Sequence, residues 1–237
     1  MKTRHVLLGL GLSAAAIGYA LAWRRRAARA EQWKQSLPLR ERMRLSPIEF
    51  QAMNNAFRRW LQRTVEFPMF RSIGLVHTGQ DILEIGCGSG YGAVLLASLQ
   101  PKSYLGVDLM PEQIALAQER QLPNATFLVQ DASDLRCCPD ESKDVVVIFG
   151  VLHHIAPWRE VVREAYRVLC RGGMLFAEEP DGRAVDTFDR LFHWGHSKQA
   201  LFRLEDFEQH LAQNGFVLLQ KKYVFGFGLY AAEKRGS

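Results

Sequence analysis

From residue 81 onward, short apolar runs alternate with stretches of helical period. Asp81–Ile85 reads as a strand and residues 90–99 as the helix that follows it. Strands at 103–107 and Ala125–Val129 flank a helix at 111–121, which has Pro111 in its first turn, where a missing N–H costs nothing. Residues 144–149 (DVVVIF) are continuously apolar, the pattern of a strand covered on both faces. A helix at 157–169 leads to a strand at 173–178. A helix at 204–214, stopped by Gly215, leads to strands at 216–223 and 227–232, which form a hairpin through Gly226 and Gly228. This alternation predicts an α/β fold, a mostly parallel seven-stranded sheet with helices on both faces.

The stretch before it differs. Met53, Phe57, Trp60/Leu61 and Val65 fall at helical spacing. The plain reading is a helix that packs this apolar stripe on the sheet domain. A sharper reading is a lid lining a lipophilic substrate pocket. Further upstream, residues 6–23 run for 18 positions without a charge, and Arg24, Arg25, Arg26 and Arg29 follow. As a helix this run would be about 27 Å long, at the short end of a membrane span. A cleaved signal peptide with an Ala20-Leu21-Ala22 site, an uncleaved anchor and a transit peptide all compete for it. The flanking arginines favour an N-terminal membrane helix with the rest of the chain on the cytoplasmic side. A cytoplasmic or organellar protein after cleavage is the alternative. The expected organisation is a hydrophobic anchor and basic flank over 1–36, a helical cap over 37–75 and a ligand-binding domain over 76–237.

Charge sharpens this division. The net charge of +5 combines +8 over residues 1–45 with −3 over 46–237. A nucleic-acid-binding body would carry its own basic face, so nucleic acid is excluded as the main partner. With 48% hydrophobic and 23% charged residues, a disordered chain is excluded as well. Cys87, Cys137, Cys138 and Cys170 form no C-x-x-C pair, which argues against a zinc ribbon or a disulfide framework. His193 and His196 have H-x-x-H spacing but no obvious third ligand, so no metal site is expected.

The chemistry concentrates in Leu83-Glu-Ile-Gly-Cys-Gly-Ser-Gly90. A strand runs directly into Gly86, Gly88 and Gly90, where the backbone can turn sharply and approach a ligand. Gly88-Ser-Gly-Tyr-Gly-Ala93 also satisfies the loose G-x-G-x-x-G/A dinucleotide pattern. Three acids qualify that reading. Glu84 precedes the loop, Asp108 ends the second strand and Asp131 ends the third. Asp108 can accept from ribose hydroxyls and Asp131 from an adenine amino group. Together the acids suit an adenosine ligand without phosphates and would repel a pyrophosphate. A nicotinamide oxidoreductase and a non-catalytic, membrane-tethered cofactor-binding module remain as alternatives.

These segments resemble the class I S-adenosylmethionine-dependent methyltransferases. LEIGCGSG (83–90) is similar to that family's first motif, GVDL (106–109) to its second and QDASDL (130–135) to its third. FGVLHHI (149–155) and REAYRVLCRGGML (163–175) are similar to its fourth and fifth strand regions. The likeness is nearest to the subgroup acting on small molecules, quinones and lipids. It implies a Rossmann-like fold and S-adenosyl-L-methionine as cofactor. Gly86, Cys87, Gly88 and Gly90 would then meet the methionine portion, and Glu84 its amino group. Asp108 would bind the ribose, with Leu109 on the adenine. Asp131 and Ala132 would read the adenine edge, and Gly150 and Val151 would line the site. Arg171, Lys143 and Cys137-Cys138 depart from the family's usual Pro, aromatic and Pro-Phe, and they put loop geometry in question. His153, His154, His193 and Glu178 are the candidates for a catalytic base. The aromatic connection over 181–203, with Phe188, Leu191, Phe192, Trp194 and Phe202, implies an apolar acceptor. The expected reaction is direct in-line methyl transfer to a small, lipid- or quinone-like acceptor, with the membrane as partner through the N-terminal segment.

Overall fold

Ser46 caps the first helix of the folded body. Its hydroxyl accepts from the Glu49 amide, and the Glu49 carboxylate accepts from the Ser46 amide at 2.6 Å. This capping box starts α1 (Pro47–Met53). The structure, a computed structural model, describes residues 43–75, 78–192 and 199–235, together with Ala22, Arg25, Arg29, Gln32, Trp33 and Ser36. The expected membrane helix over 6–23 lies outside the described residues except for Ala22. Among the described residues no helix is long and apolar enough to cross a membrane.

Asn55 caps α2 (Ala56–Leu61), which continues through a π-helical turn, Gln62–Glu66, into α3 (Phe67–Arg71). The apolar stripe does not pack as expected. Phe57, Trp60 and Val65 are 68%, 55% and 39% exposed. The buried positions are Gln62, Glu66, Phe67 and Phe70. The extra residue of the π turn rotates the positions that follow it, so the inward side changes along the rod. At the α2 end that side is polar. The Arg58 guanidinium donates to both Glu66 oxygens at 2.7 and 2.9 Å, which makes their burial tolerable.

The strands are β1 (Asp81–Ile85), β2 (Ser103–Asp108), β3 (Ala125–Val129), β4 (Lys143–Phe149), β5 (Leu169–Pro180), β6 (Phe216–Val224) and β7 (Phe227–Lys234). They form one seven-stranded sheet in the order β3-β2-β1-β4-β5-β7-β6. Neighbours among β1 to β5 are parallel, whereas β7 is antiparallel to both β5 and β6. The sheet is therefore mixed, not simply parallel. The reversal follows from the tight β6–β7 turn at Phe225-Gly226, where both residues have positive φ (49° and 84°), as a two-residue hairpin requires.

The remaining helices are α4 (Tyr91–Leu96), α5 (Pro111–Gln118), α6 (Trp158–Val168), α7 (Gly182–Phe192) and α8 (Leu204–Gln213). Strand side chains alternate between two cores. Leu83, Ile85, Val146, Ile148, Leu175 and Ala177 pack with Trp158 and Val162 of α6 and Phe207 of α8. Ile82, Val145, Val147, Phe149 and Phe176 pack on the other face with Phe70, Leu96 and Ile114. Helices thus cover both faces, and Val145 to Phe149 are buried throughout, as their continuous apolarity requires. The carboxyl ends of β1, β2, β4 and β5 meet at one edge, roofed by α1 and α2.

Candidate active site

At the end of β1 the backbone turns through Gly86 (φ 71°) and Gly88 (φ 51°), both in the left-handed region that favours glycine. The Gly86 and Cys87 amides both donate to the Val107 carbonyl, at 2.8 and 3.0 Å. A Cβ on Gly86 would lie 2.5 Å from Val151 Cγ2, so this contact admits only glycine. A Cβ on Gly88 would meet nothing within 4 Å; that face of the loop is open to a ligand. Asp108, at the end of β2, ties the loop down. Its carboxylate accepts from Gly88 N at 3.0 Å and Met110 N at 2.9 Å. Burial raises its pKa, and these backbone donors oppose the rise.

Glu84 is buried two residues before Gly86, where the loop turns. Tyr104 Oη donates to it at 2.5 Å. Its carboxylate rests against Gly92 in the first turn of α4, where any Cβ would overlap both oxygens. Burial pushes the Glu84 pKa up to about 8; Asp108 adds to this, while the Tyr104 hydrogen bond and Arg58 oppose it. A buried acid therefore fills the place beside the helix start that a dinucleotide's pyrophosphate would need.

Two chambers open along this edge. The first is lined by Glu84, Gly86, Cys87, Gly88, Asp108, Gly150, Val151 and His154, under Met53, Arg58, Arg59 and Gln62 of the α1–α2 roof. The second is lined by Leu109, Asp131 and Ala132, with Met43, Gln130 and Ile155. Only Gly86, Asp108 and Val151 belong to both linings. Asp131 is oriented by Ser133, whose amide and hydroxyl donate to Oδ1 at 3.0 and 2.6 Å. Gly90 lines neither chamber. It packs α4 onto α5, since a Cβ there would come within 2.9 Å of Ala117.

The loop after β4 is organised by Glu179, which is fully buried. Its carboxylate accepts from the amides of Val151 (2.9 Å), Leu152 (2.7 Å) and His153 (3.3 Å). It also pairs with His153 Nδ1 at 2.9 Å. His153 is thus pinned beneath the loop, outside both linings. His154 faces the first chamber and stacks on His153 with ring centroids 4.2 Å apart. His193 and His196 lie outside the described residues.

Known proteins place this geometry. The family profile described as "Methyltransferase domain" matches residues 83–177, the span that carries the glycine loop, Asp108, Asp131 and His154. This is a class I S-adenosylmethionine-dependent methyltransferase domain. The chain is 30% identical over 151 residues to 27-O-demethylrifamycin SV methyltransferase of Amycolatopsis mediterranei, a match covering 59% of this chain and 55% of that protein. It is 42% identical over 100 residues to phthiotriol/phenolphthiotriol dimycocerosates methyltransferase of Mycobacterium leprae, covering 41% of this chain and 37% of that one. The chain therefore spans 55% or less of the length of these curated relatives. A solved S-adenosylmethionine-dependent methyltransferase from Aquifex aeolicus shares the fold, with a TM-score of 0.64 at 18% identity, covering 80% of this chain and all of that one.

The methyltransferase domain's cofactor is S-adenosyl-L-methionine, and the two chambers suit it. Glu84, Asp108 and Asp131 all line the chambers at this edge, and the Gly88 side of the loop is open. Reading the sequence missed Tyr104 and the roof residues Arg58, Arg59 and Gln62; it noted Glu178 and Glu179 together at the end of the fifth strand but not the role of Glu179. Of that pair, the sequence points to Glu178 as a candidate base. Strand alternation turns Glu178 to the opposite face, among Arg58 and Glu66 and outside both linings. Burial pushes its pKa up to about 8; Glu66 adds to this and Arg58 opposes it.

This has a measurable consequence. Below its ordinary value of 4.5, Glu178 carries a proton in folded and unfolded chains alike. Between 4.5 and about 8 only the folded chain keeps it, so Glu178 costs stability as pH rises through this window. Glu178→Gln is expected to remove that slope, leaving the variant up to about 5 kcal/mol more stable than the native protein above the folded pKa and equal to it in acid. Urea unfolding at both ends of the window checks it; a parallel pH dependence in the two proteins contradicts it.

Proposed function

We propose that this protein transfers the methyl group of S-adenosylmethionine, by direct in-line attack, to a small lipophilic acceptor of lipid or quinone type. One observation carries the reading: the glycine loop held by Asp108 forms the floor of a chamber whose roof is α1–α2 and whose wall presents His154. The cofactor supplies an electrophilic methyl group on a sulfonium. The chain's own work is alignment. Asp108 accepts from the ribose, Asp131 from the adenine amino group, and Glu84 holds the ammonium. Met53, Tyr91 and Phe149 give the first chamber apolar surface for an acceptor. The names of the two relatives, a rifamycin and a dimycocerosate methyltransferase, support an acceptor of this kind. The dinucleotide alternative is disfavoured by the Glu84 carboxylate against Gly92.

Where the acceptor must lose a proton, His154 is positioned to take it, and His153 is a positioning residue held by Glu179. His154→Ala is expected to lower kcat about 10- to 100-fold while leaving cofactor affinity within about twofold. An equal loss in both quantities would assign His154 to cofactor binding instead. We also propose residues 6–23 as the membrane anchor, with the body on the cytoplasmic side. Incubation of the full chain with labelled cofactor and a total lipid extract tests the reaction. Label in the lipid fraction is expected; label confined to a water-soluble acceptor would overturn the lipid reading.

A further inference from the structure

The stripe that sequence reading assigns to the core lies on the surface, and it has a counterpart. Phe57 and Trp60 of α2 are 68% and 55% exposed and stack on each other with centroids 5.8 Å apart. At the tip of the β6–β7 hairpin Phe225 is 98% exposed, flanked by Tyr223 at 55% and Phe227 at 39%. The two groups sit on the same edge of the molecule. Arg58 and Gln62 of the α2 rod roof the first chamber. Lys222, on the hairpin, donates through Nζ to the Ser72 carbonyl and hydroxyl at the end of α3, at 3.2 and 2.9 Å. The Asp181 amide, just past β5, donates to the Gly226 carbonyl in the hairpin turn at 2.8 Å. Both aromatic groups therefore border the carboxyl edge of the sheet, where the chambers open.

We infer that this edge docks on an anionic phospholipid bilayer, with the α2 aromatics and the hairpin tip entering the headgroup layer. Charge identifies the partner. Residues 54–75 and 216–228 together hold six Lys and Arg against one Asp or Glu, whereas the rest of 46–237 holds 14 against 22. The one acid is Glu66, which is buried and paired with Arg58. Glu208 of α8 borders the patch and pairs with Lys221. Arg63 and Arg71 are exposed on the helical side. Exposed aromatics set among cations on an otherwise acidic body fit the interface of an anionic membrane. The N-terminal segment joins the fold here too. Met43 and Leu45 line the two chambers, so the described chain enters the fold at this same edge. Docked this way, the chambers open toward the bilayer, where a lipophilic acceptor resides. The surface is defined by exposure and charge and does not depend on methyl transfer.

Hydrogen exchange on the full-length chain, with phosphatidylcholine vesicles containing or lacking phosphatidylglycerol, tests it. The amides of 56–66 and 221–228 are expected to slow only with the anionic vesicles. In the full-length variant carrying Phe57→Ser, Trp60→Ser and Phe225→Asn, that protection is expected to vanish and vesicle partitioning to fall about tenfold, with cofactor affinity in solution unchanged. Protection confined to the N-terminal segment would overturn the proposal. So would partitioning that the variant does not alter, or protection without vesicles that follows self-association of the protein. A failure of methyl transfer with docking intact would count against the proposed activity alone.

Discussion

Asp108→Ala is expected to weaken S-adenosylmethionine binding on the order of a hundredfold, about 3 kcal/mol. The carboxylate acts twice. It holds the Gly88 and Met110 amides at 3.0 and 2.9 Å, which fixes the loop that a ligand must touch. It also stands at the junction of the two chambers, where ribose hydroxyls would find a charged acceptor. Alanine leaves two backbone donors without their acceptor and removes the charge. Asp108→Asn keeps the shape and one acceptor oxygen, so about a tenfold loss is expected. Calorimetry with the cofactor measures both variants. An alanine variant within about threefold of the native affinity would remove Asp108 from the binding site.

Glu179→Ala is expected to be among the most destabilising single changes, costing about 3–4 kcal/mol. Three consecutive amides and the His153 ring converge on this one fully buried carboxylate. Removing it leaves those donors buried without a partner, each at the desolvation cost of an unmade hydrogen bond. The loop it holds carries Val151, which narrows the cavity, and His154, which faces the first chamber. Activity is therefore expected to fall more steeply than stability at temperatures where the variant remains folded. Glu179→Gln should recover part of both losses, because its amide oxygen still accepts. Urea denaturation gives the magnitude, and a loss below about 1 kcal/mol would contradict this account.

Much of this was legible in the sequence because it is local. β1 and β3 have the bounds that their apolar runs predict, since a strand between turn residues is delimited by its own composition. Gly86, Gly88 and Asp108 announce themselves by spacing after a strand. What escaped depends on neighbours distant in sequence. The β6–β7 hairpin was legible from its glycines, but its turn is Phe225-Gly226, whose first residue is not one of the usual turn residues. The stripe through Phe57 and Trp60 has core-like periodicity, yet the π turn and the Arg58–Glu66 pair give the inward side to polar groups. Glu178 and Glu179 look equivalent in a line of text. Only the alternation of β5, read against which core each face joins, separates the acid that holds the loop from the one that faces the roof.

The narrow place between the chambers has a consequence for how a ligand is held. Gly86 and Val151 approach closely there, and Asp108 is the one charged residue that lines both chambers. A molecule lying across it behaves as two modest fragments joined by a tether. Each end raises the local concentration of the other, and neither needs high affinity alone. The purine end remains the same before and after the reaction, whereas the sulfur end changes charge. The spent molecule can therefore let go at one end first and pivot about the other, so that exchange of product for fresh substrate becomes a stepwise peeling instead of a single escape.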